Sequence, residues 1–158
     1  MVVAKLALKT GRPVKITLTR EEVFYCHRGR HPVHMKVKTG VTKTGEISGM
    51  HFQSYLDGGA YGSYGVASTY YTGALQTVTY NVKRYKFEGA RAFTNKPPCG
   101  PKRGHGTPQP RFALEIQMDR IAEKLKMDPA ELRLKNLVPA NSVTANYLKV
   151  GSMGLGEC

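Results

Sequence analysis

The stretch Cys99-Gly-Pro-Lys-Arg-Gly-His-Gly-Thr-Pro-Gln109 constrains this chain more than any other. Glycines at 100, 104 and 106 and prolines at 101, 108 and 110 define a backbone that needs unusual φ values and close approach to something. Inside it stand Arg103, a fixed charge, and His105, a titratable donor. Arginine beside glycines suits an anionic or oxygen-rich ligand; the bland alternative is a surface turn with a solvated arginine.

The loop runs straight into a helical pattern. Leu114, Met118, Ile121 and Leu125 fall on one helix face, with Glu115, Asp119 and Glu123 elsewhere. Asp128-Pro129-Ala130-Glu131 then starts a second helix, with an N-cap aspartate, proline at the first helical position and an acid at the third. Upstream, Val14, Ile16 and Leu18 alternate with Lys15 and Thr17 and predict a half-buried strand. Thr19 caps a short helix with Glu21 and Glu22 in its first turn, carrying Val23 and Phe24. Val33, Met35 and Val37 alternate with His34, Lys36 and Lys38 in a second strand. A turn around Thr42-Lys43-Thr44-Gly45 leads to a third, with Met50, Phe52 and Leu56 toward the core. Lys83 to Phe93 reads as a further strand. The fold class is α+β.

The 158 residues suffice for one domain with a real core. Apolar content of 41% and charged content of 22% are those of a soluble globular protein. No apolar run of about 18 residues and no signal-peptide pattern is present, so the chain reads as cytoplasmic, with no membrane span. Cys26, Cys99 and Cys158 lack paired spacing and read as free thiols in a reducing compartment. The net charge of +13, with 24 basic residues against 11 acidic ones, raises a nucleic-acid-binding module as an alternative. The basic residues are spread along the chain without a block of like charges, which argues against nucleic acid as the partner. Both ends read as cut. Val2 to Lys9 resembles the end of a helix, with Val3, Leu6 and Ala7 on one face and Gly11 as C-cap; Gly151 to Cys158 trails off. Residues 1–158 are therefore expected to be one partial domain, and the excess charge to be balanced by neighbours.

Other clusters carry two readings each. Asp57-Gly-Gly-Ala-Tyr-Gly-Ser-Tyr-Gly65 is neither a P-loop nor a dinucleotide fingerprint. It either walls a pocket with Tyr61 and Tyr64 or packs tightly on a neighbouring backbone. Tyr70 and Tyr71 either flank an aromatic substrate or serve as core and interface residues. His27, His31 and His34 look like a metal comb, but Arg28 and Arg30 put positive charge where a cation would sit.

The Arg103 loop resembles the Arg-Gly-aromatic-Gly-x-Pro-Gln loop of the molybdenum hydroxylases, the xanthine dehydrogenase and aldehyde oxidase family. Thr10-Gly-Arg-Pro-Val14, Thr19-Arg-Glu-Glu22, Arg30-His-Pro32 and Lys43-Thr-Gly-Glu-Ile47 look like successive segments of that family's molybdenum-binding domain. So do Thr94-Asn95 before the loop, then Ala122-Glu-Lys-Leu125, Met127-Asp-Pro-Ala-Glu-Leu-Arg133 and Lys135-Asn136 after it. The order and spacing of these short pieces carry the match.

The resemblance implies a molybdopterin cofactor with molybdenum, and partner subunits with iron–sulfur clusters and FAD. Arg103 and Gly104 align with cofactor-binding positions, Arg103 with the arginine whose backbone lies beside the metal. His105 takes the place of a substrate-stacking phenylalanine, and the arginine with which purine oxidases hold substrate is replaced by an uncharged residue near Tyr71. The pattern is thus most similar to the α subunit of 4-hydroxybenzoyl-CoA reductase, which removes a phenolic hydroxyl reductively from an aromatic CoA thioester. His105 would then act as proton donor in catalysis, with Tyr61, Tyr64 and Tyr71 lining the substrate. Hydroxylation of an aldehyde or N-heterocycle is the competing reading. Glu157, in Gly154-Leu-Gly-Glu157, resembles the family's general base but lies too close to the Arg103 loop to be it. The general base and the Gly-Gly-Phe-Gly loop are missing, so the isolated chain is expected to be inactive.

Overall fold

Three strands form the frame. In a computed structural model that describes residues 1–157, β1 (Val33–Val41) pairs antiparallel with β2 (Ile47–Asp57), and β2 pairs parallel with β3 (Tyr85–Ala92). The Thr42–Gly45 turn closes the β1–β2 hairpin, and Gly45, at φ 88°, accommodates its left-handed residue. The alternation predicted for β1 and β2 holds: Met50, Phe52, Ser54 and Leu56 are all buried, while Tyr55 across the pleat is exposed.

Parallel pairing requires a crossover, supplied by α3 (Gly65–Ala74) and a 3-10 turn (Leu75–Val78). The helix lies against β3, close enough that a Cβ on Gly73 would fall within 2.3 Å of the Phe87 ring. Helix α4 (Pro108–Leu125) packs on β1 and on α5 (Pro129–Lys135). Leu114, Met118 and Ile121 join Ile47, Met50, Tyr80, Val82 and Leu132 in the core, as the spacing predicts. Asp128 caps α5, accepting from the N–H groups of Ala130 and Glu131.

The N-terminal third is simpler. Helix α1 (Val2–Thr10) ends at Gly11 in the left-handed region, and α2 (Arg20–Cys26) starts on a full capping box of Thr19 and Glu22. The predicted strand at Val14–Leu18 does not form. Residues 13–19 have no strand partner, and Ile16 is 64% exposed. Alternation supplies a face but no ladder. Two short strands, β4 (Ser142–Val143) and β5 (Lys149–Val150), close the described C-terminal part. Cys26 and Cys99 are free thiols, whereas Cys158 lies outside the described residues.

Candidate cofactor site

Because β2 and β3 run parallel, the segments that follow them leave the same end of the sheet. They are laced together: Gly58 N donates to Ala92 O, Ala60 N to Lys96 O, Thr94 N to Gly59 O and Cys99 N to Gly58 O. Gly59 fits only because it lacks a side chain, since a Cβ there would meet Pro97 O at 2.2 Å. Arg91 lies across the same run, donating from Nη2 to Gly58 O and Tyr61 O. At Gly58 and Gly59 the glycine-rich segment packs tightly on a neighbouring backbone.

A strap over residues 27–32 holds the Arg103 loop from the other side. Gly100 N donates to Gly29 O at 2.9 Å, Arg30 Nη2 to Arg103 O at 3.0 Å and Gln109 Nε2 to His31 O at 2.8 Å. His31 is 5% exposed, and its Nε2 accepts from Arg91 Nε at 3.3 Å. Burial first, then the Arg91 guanidinium and His105, lower the His31 pKa, while Asp57 pulls weakly the other way. A neutral imidazole accepting from Arg91 is no ligand for a cation. The described residues contain no cluster of His, Cys, Asp or Glu able to hold a metal ion.

The loop itself turns through positive φ at Arg103 (29°), Gly104 (73°) and Gly106 (76°). Gly106 packs on α3, where a Cβ would sit 2.8 Å from Ser68 O and 2.9 Å from Tyr71 Cβ. This close approach delivers His105 to α3. Its Nε2 lies 2.7 Å from Ser68 Oγ, and its ring meets Tyr64 and Tyr71 edge-on, with centroids 5.9 and 5.5 Å away. Three of the residues singled out in the sequence are therefore brought together. Tyr61 is not: its side chain is 78% exposed, and its backbone, at φ 66°, serves as an acceptor for Arg91. Arg103 is likewise exposed, and it is held through its backbone carbonyl, which Arg30 grips. The sequence carries no signal for Ser68, a small hydroxyl in a Ser-Thr-Tyr-Tyr run, whereas Arg30 and His31 stand in a segment already matched by resemblance.

The arrangement fits an oxygen-rich anionic group. Among the described residues, the N–H groups of Lys102 through Gly106 meet no acceptor, and successive free N–H groups in such a turn form an anion-binding concavity. One buried donor on the same framework, Arg30 Nη1, also lacks a partner.

Residues 1–137 match the family described as the molybdopterin cofactor-binding domain. The chain belongs to the molybdopterin cofactor-binding domain family. It is 39% identical over 134 residues to a probable xanthine dehydrogenase subunit of Bacillus subtilis, a match that covers 85% of this chain and 18% of that protein. It is 36% identical over 156 residues to the nicotinate dehydrogenase large molybdopterin subunit of Eubacterium barkeri, covering 98% of this chain and 36% of that one. The solved aldehyde oxidoreductase of Desulfovibrio gigas superposes with a TM-score of 0.89 at 30% identity, over 99% of this chain and 17% of its own. The chain thus spans between about a sixth and a third of the length of these relatives. The α+β fragment expected of a molybdopterin cofactor-binding domain is what the superposition displays. No helix among the described residues is long and apolar enough to cross a membrane.

Proposed function

We propose that this chain forms one wall of the active site of a molybdenum-dependent hydroxylase acting on an aldehyde or an N-heterocycle. The observation that supports this reading is the fixed His105, pinned by Ser68 and framed edge-on by Tyr64 and Tyr71, on a loop whose backbone N–H groups meet no acceptor among the described residues. When bound, the cofactor supplies a two-electron oxidation in which water provides the oxygen.

The remaining work falls to this chain's residues. The backbone of Arg103 and Gly104 would receive the cofactor, with Arg30 holding the Arg103 carbonyl in place. The imidazole of His105 offers a flat polar plate to a planar substrate, with Tyr71 and Tyr64 limiting how the ring can tilt. With Nε2 committed to Ser68, His105 orients substrate through its remaining edge instead of swinging as a free acid. The two electrons released would leave through iron–sulfur and flavin subunits, the partners that the family resemblance implies.

The names borne by the relatives, a xanthine dehydrogenase subunit, a nicotinate dehydrogenase subunit and an aldehyde oxidoreductase, support hydroxylation over reductive dehydroxylation of 4-hydroxybenzoyl-CoA. Steady-state assays of the assembled holoenzyme separate the two. Aldehydes and N-heterocycles with an electron acceptor should turn over, and 4-hydroxybenzoyl-CoA with a low-potential reductant should not. Dehydroxylation without hydroxylation of any heterocycle or aldehyde would overturn the proposal.

A further inference from the structure

Arg30 makes one bond where a guanidinium needs several. Its Nη2 donates to Arg103 O at 3.0 Å, while its Nη1 is buried against the same framework with no acceptor among the described residues. A buried cationic N–H left without a partner is costly, and native structures nearly always supply one. Nothing nearby neutralises the charge. Among the described residues, Arg28, Arg30, Arg91, Lys102 and Arg103 make no salt bridge, and Asp57 is already taken by Lys96 at 2.5 Å.

These cations converge on the loop from separate elements. Arg28 Nη1 donates to Ser63 Oγ on the segment after β2, and Arg91 donates to Gly58 O and Tyr61 O in the same segment. Lys102 and Arg103 belong to the loop itself. The result is an excess of positive charge beside a row of unpartnered backbone N–H groups. An anion is the ligand that such a place lacks.

We infer that Arg30 contacts the cofactor directly, its Nη1 donating to an anionic acceptor on the bound molybdopterin while its Nη2 fixes the Arg103 carbonyl. The inference rests on reading this loop as the cofactor's site. Guanidinium geometry suits the double task, because two N–H groups of one rigid fork can serve two acceptors at once. Gln109, whose Nε2 is spent on His31 O, ties the helix start to the same strap.

The test is the molybdopterin content of the full-length protein purified with its cofactor, read from the fluorescence of the oxidised pterin. Thermal unfolding of the cofactor-free chain is measured in parallel. Arg30→Gln keeps one N–H donor for the Arg103 carbonyl and removes the second donor and the charge. Its content is expected to fall at least tenfold at unchanged apo stability. A content within twofold of wild type would reduce Arg30 to a staple and overturn the inference. If Arg30→Gln lowers the unfolding temperature, Arg30→Lys, which keeps charge and donors, decides. Content at least threefold above that of Arg30→Gln supports the contact, and content no higher than that of Arg30→Gln at wild-type stability overturns it. A full-length wild-type enzyme that holds no molybdopterin at all would instead sink the reading of the site.

Discussion

Ser68 Oγ lies 2.7 Å from His105 Nε2, joining a fully buried residue of α3 to the ring at the centre of the loop. Ser68 also donates weakly toward Tyr64 O at 3.3 Å. Replacing it by alanine leaves Nε2 unpartnered and lets the imidazole turn. Ser68→Ala should cost about 1–2 kcal/mol of stability, and raise KM about tenfold with kcat less affected. Urea unfolding and steady-state kinetics of the holoenzyme measure the two effects, and an unchanged KM would remove Ser68 from substrate positioning.

Two left-handed glycines separate backbone strain from steric contact. Gly11 has φ 62° and open space around its missing Cβ, whereas Gly106 has φ 76° and a neighbouring carbonyl 2.8 Å away. Gly11→Ala should cost about 1 kcal/mol, the strain alone. Gly106→Ala should cost about 2–3 kcal/mol and loosen the loop, because neither backbone nor Tyr71 Cβ can yield cheaply. Denaturant titrations give the difference, and trypsin should cut Gly106→Ala faster after Lys102 and Arg103.

His31 makes stability fall in mild acid. Its folded pKa is lowered by burial and by the Arg91 and His105 charges, so the unfolded chain binds the proton more readily. Stability contributed by the neutral form is present above the unfolded pKa of about 6.5 and is lost as pH drops below it. The urea midpoint should therefore decline from pH 7 to pH 5, and the decline should flatten in His31→Gln. A separate loss should follow near pH 4 to 2, as Asp57, held at about 2 by Lys96, Thr94 and the Gly59 N–H, takes up its proton.

Asn136 is the buried polar knot between the hairpin and α5. Its Oδ1 accepts from Ile47 N at 2.9 Å, and its Nδ2 donates to Gly45 O and Leu132 O, each at 2.8 Å. Leucine would fill much of the volume but satisfy none of these groups. Asn136→Leu should lose about 2–4 kcal/mol in equilibrium unfolding. A neutral result would mean that water reaches the turn.

The sequence is legible where local rules decide. The capping box at Thr19, the aspartate cap at Asp128, the alternation of β1 and β2 and the stripe from Leu114 to Leu125 all predict what forms. It is illegible at α3, which buries Ser68, Thr72 and two glycines and so shows no apolar period. That helix forms because Phe87 and the loop pack onto its small residues, a tertiary override of poor propensity. Val14, Ile16 and Leu18 fail in the opposite sense, since a correct local pattern met no partner strand. At the site, the glycine frame, His105 and two tyrosines could be found from their types and spacing. The strap could not, because Arg30 and Arg103 stand 73 residues apart and nothing in either neighbourhood announces the contact.

That separation also orders the folding reaction. The β1–β2 hairpin closes across a short turn, whereas the strap can grip the loop only after β3 has crossed over to lie beside β2. Weakening the grip, as in Arg30→Ala, is therefore expected to speed unfolding and leave refolding unchanged, which denaturant-jump kinetics measure. Damage to this strap should thus be a matter of lifetime, with the native state reached on schedule and left early.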